Sequence, residues 1–257
     1  MPVIDLNSDL GESFGAWTMG MDAEVMTHIS SSNVACGWHA GDAEVMVKTV
    51  RAAKAKGIAV GAHPGYPDLL GFGRRDMACT ADEIYAYTLY QIGALKSICE
   101  SEGLRLQHVK PHGAMYNQAA KDQKLAGAIV KAVRDAGGEI ILLGLADSAF
   151  EKACAELGAP FAPEAFADRG YMPDGSLVPR SQPGAFIHDP DEAAARMVRL
   201  VKEGVIKTPD GQTLKLKARS ICMHGDSPEA VKMAKTVRAA MEKNGIAVKN
   251  LREALFK

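Results

Sequence analysis

The sequence has no surplus of charge: 30 lysines and arginines stand against 31 aspartates and glutamates in 257 residues, a formal net charge of −1. A phosphate backbone or an anionic bilayer attracts a basic surplus, so neither nucleic acid nor membrane is expected as a partner. No apolar run approaches the ~20 residues that a membrane helix needs. The first residues, Met1-Pro2-Val3-Ile4-Asp5, turn polar at once and lack the basic and apolar regions of a signal peptide. The five cysteines, Cys36, Cys79, Cys99, Cys154 and Cys222, include no CxxC pair, and an odd, scattered set suits a reducing compartment. The cytoplasm is the expected location.

Several catalytic signatures are also missing. No glycine-rich phosphate loop ending in Gly-Lys-Ser or Gly-Lys-Thr occurs, and Gly71-Phe72-Gly73-Arg74-Arg75 amounts at most to an anion-binding turn. There is no GxSxG elbow, and Cys36, three residues before His39, lacks the frame of a thiol nucleophile. Neither an HExxH pair nor a thiolate set with metal spacing is present, so spacing fixes no ligand geometry.

What is present is alternation. Short apolar segments at 3–10, 32–36, 58–62, 106–109, 139–143, 165–167 and 220–223 read as strands, and amphipathic stretches separate them. Thr80-Ala81-Asp82-Glu83 has capping-box spacing, Ser227-Pro228-Glu229 places an N-cap before a first-turn proline, and Asp42 and Asp122 open helices that end near Gly57 and Gly137. Repeated βα units in a chain of one-domain length leave two architectures, a closed barrel or an open doubly wound sheet. Polar clusters follow nearly every strand in the N-terminal half, which favours an irregular parallel β/α barrel with one site at its C-terminal mouth. The whole chain, 1–257, is expected to be one such domain. The stretch 171–190, rich in proline and glycine, is too long for an ordinary connection and is a candidate lid. Residues 208–217 read as a surface hairpin turning at Pro209-Asp210-Gly211.

Period-two alternation sends Asp5, Asn7 and Asp9 to one side of the first strand, where polar groups are expensive unless they bind something. An exposed polar edge is the plainer reading of that segment alone. Four histidines, His39, His63, His112 and His224, sit just past strands beside glycine or proline. A lone histidine is commonly structural; four in equivalent places point to a divalent metal or to direct proton transfer. If a metal is held, Asp9, His39 and His63 are the expected ligands. Lys110, across Pro111 from His112, can neutralise a carboxylate or a phosphoryl oxygen, and Asp168-Arg169 can clamp a carboxylate.

The segments DLNSDLGE (5–12), NVACGWHAGD (33–42), GAHPGYPD (61–68), VKPHGAMYN (109–117), ADRGY (167–171) and MHGDSP (223–228) together resemble the LamB/YcsF family. That family covers the lactam-utilisation proteins and the A component of bacterial 5-oxoprolinase, and the resemblance spans nearly the whole chain. It implies a seven-stranded β/α barrel similar to the glycoside hydrolase and polysaccharide deacetylase group. It also implies partner subunits B and C and the ATP-dependent opening of 5-oxo-L-proline to L-glutamate. On that reading Asp9 or Glu12 is the base, and His39, His63 and His112 move protons or stabilise an oxyanion. Asn7, Lys110, Asp168, Arg169, His224 and Asp226 then bind substrate. Two other functions fit the same residues: a metal-dependent deacetylase or amidohydrolase acting alone, and a non-catalytic lactam-binding protein.

Overall fold

The structure is a computed structural model that describes residues 1–224 and 228–256. Its first half runs β1 (Val3–Leu10), α1 (Asp22–Val25), β2 (Ser31–Ala35), α2 (Ala43–Lys56), β3 (Ala59–His63), α3 (Ala81–Ser101), β4 (His108–Val109), α4 (Gly113–Ala119) and α5 (Gln123–Asp135). The second continues β5 (Ile141–Leu145), α6 (Ala149–Leu157), β6 (Phe161–Phe166), α7 (Pro190–Glu203), β7 (Val205–Lys207), β8 (Thr213–Lys215), β9 (Ser220–Cys222), α8 (Pro228–Lys243), β10 (Ala247–Val248) and α9 (Leu251–Leu255).

The helix signals read from sequence act where they stand. Thr80 and Glu83 satisfy each other's backbone N–H at the start of α3. Asp42 accepts from the Val45 N–H at 2.9 Å to open α2, which ends at Gly57 with φ +67. Asp122 caps α5 in the same way. The cap expected at Ser227 lies outside the described residues.

Seven strands pair in parallel in the order β1, β2, β3, β4, β5, β6, β9, and β9 returns to β1 with Asp5 opposite Ser220. The result is a closed seven-stranded β/α barrel, as the polar clusters and the family resemblance imply. The short β10 lengthens the start of β1 outside the ring, pairing Val3 with Ala247; its two residues carry too little apolar pattern to be seen in sequence. The hairpin near 208–217 has its strands at β7 and β8, around a turn where the Thr208 N–H donates to Gln212 O at 3.0 Å. Strand β6 begins four residues before the apolar run suggested, because Pro163 and Glu164 interrupt that run. Pro163 needs no N–H partner there, and its carbonyl accepts from the Arg219 N–H at 2.8 Å.

One face of each strand packs on the helices. Ile4, Leu6, Leu10, Val34, Val60, Ala62 and Val109 belong to that apolar layer and are buried. The opposite face fills the barrel with polar side chains. Asp5 accepts from Ser30, Ser31 and Ser220; above it Asn7 donates to Glu164 at 3.0 Å and Ser220 at 2.7 Å, and Asn33 donates to Asn7 at 2.7 Å. His108 reaches Asn33 at 2.7 Å across the strand between them, which is possible because Gly61 has no Cβ; one placed there would stand 2.2 Å from the ring. Helix α9 closes the bottom, with Leu251 packed on Ile141, Leu143 and Ala162.

Candidate active site

The opposite end of the barrel is the mouth. Asp9 is the next-to-last residue of β1, and Glu12 follows the strand after a turn at Gly11 with φ +69. His39 follows β2, His63 ends β3, Lys110 and His112 follow β4, Asp168 and Arg169 follow β6, and His224 follows β9. Asp9, Glu12, His63, Lys110, His112 and His224 line one cavity of about 110 Å³, room for roughly four waters at liquid density. Arg74, Arg169 and Arg180 line it as well, so an anion entering meets guanidinium groups.

Lys110 ties the mouth to the interior. Its Nζ stands 2.9 Å from Asp9, 3.2 Å from Glu164 and 3.0 Å from Cys222 Sγ. Burial alone would discharge this lysine, but Asp9, Cys222 and Glu164 outweigh it and hold its pKa well above the usual range. Burial likewise works to protonate Asp9; His63 and Lys110 overcome it and keep the carboxyl well below its ordinary range. Asp9 is therefore an ionised carboxylate facing the cavity. On the far wall His224 Nδ1 pairs with Asp168 Oδ2. Burial opposes charge on this imidazole, yet Asp168 raises its pKa above the ordinary histidine value.

The remaining histidines form a tight group. His39 and His112 stack with centroids 3.7 Å apart and planes 3° from parallel, and His63 meets both edge-on. Burial, then neighbouring histidines, push His39 and His112 well below the usual histidine pKa. Burial raises Glu12, with His112 opposing and Asp9 adding to the rise. His112 Nε2 points at the carbonyl of Phe72, a non-glycine residue with φ +54. Such left-handed residues are uncommon and gather where a site needs a particular atom aimed.

Three expected placements differ from the observed geometry, those of the ligand trio, Arg169 and Asn7. The expected ligand trio of Asp9, His39 and His63 differs from the group whose ligand atoms converge, Glu12, His39, His63 and His112: Asp9 gives Oδ1 to Lys110 and of that group reaches only His63, with Oδ2 at 3.3 Å. Arg169 does not present a two-pronged fork: Nε donates to Ala185 O at 2.9 Å and Nη2 to Val178 O at 2.6 Å, pinning the 171–190 stretch above the cavity. Asn7 is held inside the barrel below the cavity rather than toward a substrate. Asp168 spends one oxygen orienting His224. Asp226 lies outside the described residues. Missing from the sequence reading were Glu164 and Tyr116, whose hydroxyl donates to Glu164 at 2.9 Å, and the buried pair Asn33 and His108. The alternation Glu164-x-Phe166 and His108-x-Lys110 was the available signal.

Among the described residues no helix is long and apolar enough to cross a membrane. The sequence profile of the LamB/YcsF family matches residues 4–256. The chain is 53% identical over 247 residues to a Bordetella parapertussis protein named as the A component of 5-oxoprolinase, a match that covers 96% of this chain and 98% of the relative. It is similar to the solved lactam utilization protein of Thermus thermophilus, at 46% identity and a TM-score of 0.92, with 96% of this chain and 99% of that one covered. A deacetylase solved with substrate shares the barrel alone, at 13% identity and a TM-score of 0.51 over 98% of this chain and 90% of the other.

Proposed function

The chain belongs to the LamB/YcsF family, and on that premise we propose that it is the barrel component of an ATP-dependent 5-oxoprolinase, opening 5-oxo-L-proline to L-glutamate together with subunits B and C. The observation that carries this reading is the near full-length similarity to a relative named as the A component of 5-oxoprolinase. The cavity is compatible with it: a small space ringed by Arg74, Arg169 and Arg180 suits a small anionic ring rather than a polymer.

A five-membered lactam is a resonance-stabilised amide, so transfer of the γ-phosphoryl group of ATP to its oxygen makes the ring carbon electrophilic. Water then adds to that carbon and the C–N bond breaks, leaving an acyl phosphate. A second water releases phosphate, and the sum is 5-oxoproline, ATP and two waters giving glutamate, ADP and phosphate. Asp9, ionised and exposed to the cavity, takes the proton of the attacking water. His224, held by Asp168 and raised in pKa, gives a proton to the departing ring nitrogen. Arg74 and Arg180, on the cavity wall, hold the substrate carboxylate and the phosphoryl oxygens.

The test is glutamate release from 5-oxoproline with ATP, using this chain with and without its partner subunits. Wild type with partners turns over, and a folded Asp9→Asn chain is slower by roughly 10²–10⁴-fold. Near-normal turnover by that variant removes Asp9 as the base. A second reading, amide hydrolysis by this chain alone, draws on the histidine group at the mouth; hydrolysis without ATP or partners favours it.

A further inference from the structure

His63 Nδ1 lies 2.7 Å from Lys110 O and His112 Nε2 lies 2.8 Å from Phe72 O. A carbonyl oxygen only accepts, so each of these nitrogens carries the N–H. In their neutral forms the other two nitrogens, His63 Nε2 and His112 Nδ1, are then both lone pairs, and they face each other at 2.9 Å. Two acceptors at that distance repel unless something positive lies between or beside them.

A proton on His63 Nε2 would satisfy that pair, and Asp9 Oδ2 at 3.3 Å would welcome it. It would leave three neighbouring atoms unexplained: Glu12 Oε1 and both ring nitrogens of His39 are buried and make no hydrogen bond. Buried polar atoms without partners are rare in folded proteins and call for an explanation. Glu12 Oε1 stands 3.4 Å from His39 Nε2 and 3.6 Å from His112 Nδ1. One ligand atom from each of Glu12, His39, His63 and His112 falls within a set whose members all lie within 4.8 Å of one another.

We propose that Glu12, His39, His63 and His112 form a binding site for one divalent transition-metal ion. An ion with ligands at about 2.0–2.2 Å has tetrahedral edges of roughly 3.3–3.6 Å, the span already set between Glu12 and two of the histidines. The widest separation closes by about 1 Å on binding. Three imidazoles and one carboxylate select Zn²⁺, Co²⁺, Ni²⁺ or Mn²⁺ over Mg²⁺, which prefers an all-oxygen octahedron. The carbonyls behind His63 and His112 are the outer partners that orient metal-bound imidazoles. When bound, such an ion supplies Lewis acidity toward a carbonyl or phosphoryl oxygen at the cavity wall. The inference does not depend on the lactam as substrate.

Binding, not turnover, is the test. Chelator-stripped protein is titrated with Zn²⁺ by calorimetry and with Co²⁺ by visible absorption, and circular dichroism checks the fold of each variant. One ion per wild-type chain is expected, with the strong cobalt absorption of a low-coordinate site and a raised melting temperature. Glu12→Gln and His39→Ala each weaken binding at least roughly ten- to a hundredfold. Asp9→Asn keeps the stoichiometry, since Asp9 is outside the four converging side chains and approaches only His63 among them. A folded wild type that takes up no stoichiometric ion overturns the site and leaves a shared proton in its place. So does wild-type affinity in both Glu12→Gln and His39→Ala, or loss of the ion in Asp9→Asn alone.

Discussion

The floor and the mouth of this barrel are both lined with polar side chains and differ in whether their polar atoms find one another. At the floor Asp5, Ser31, Ser220, Asn7 and Asn33 pair among themselves, with His108 Nδ1 the one unpartnered side-chain atom of the network. At the mouth Glu12 Oε1, both His39 nitrogens and Asp168 Oδ1 are buried without partners. A closed network specifies the fold, and atoms left without partners beside a cavity are suited to holding something else. Lys110 is the joint between the two, since it reaches Glu164 below and Asp9 above.

Removing that joint is expected to have the largest effect. Lys110→Met leaves two buried carboxylates without their cation, and loss of one partner of a buried pair costs about 3–5 kcal/mol. Chemical denaturation is expected to show that loss, and an unchanged midpoint would mean that the contacts of Lys110 with Asp9 and Glu164 contribute nothing to stability. Gly61→Ala puts a Cβ 2.2 Å from His108 Nε2, which places it near 3 kcal/mol, the upper end of ordinary overpacking. Its denaturation midpoint falls if the floor is as tight as described; a neutral substitution would show that the His108–Asn33 contact gives way freely.

The third effect is smaller and depends on pH. Burial outweighs the hydroxyl hydrogen bonds of Asp5 and raises its pKa from 3.8 to about 6. The folded chain thus holds this proton more firmly than the unfolded one. The contribution to stability is fully present below about pH 4 and is lost as pH rises through about 6. Asp5→Asn cannot ionise, so it removes that loss and stabilises the chain above pH 6 by at most about 3 kcal/mol. Denaturation at pH 5 and pH 8 checks it, and identical pH slopes for wild type and variant would contradict it.

The barrel was legible because alternation along β1 sends Asp5, Asn7 and Asp9 inward whatever surrounds them, and because histidines recur just past strand ends. The ligand set was not legible. Which carboxylate meets the histidines depends on the left-handed turn at Gly11, which carries Glu12 across to His39 while Asp9 stays with Lys110. Arg169 was misread for a related reason, since nothing in its own neighbourhood reveals that Val178 and Ala185 fold back to accept from it. Glu164 was missed because Pro163 beside it ended the apolar run by which the strand was sought.

The most direct test of the difference between floor and mouth is to titrate histidine-labelled protein with 5-oxoproline and follow all seven imidazoles by NMR. His63, His112 and His224, which line the cavity, are expected to shift together as the ligand binds, while His108 at the floor stays still. Saturable binding that moves His108, or the distant His28 and His188, and leaves the three mouth histidines unchanged would contradict the account.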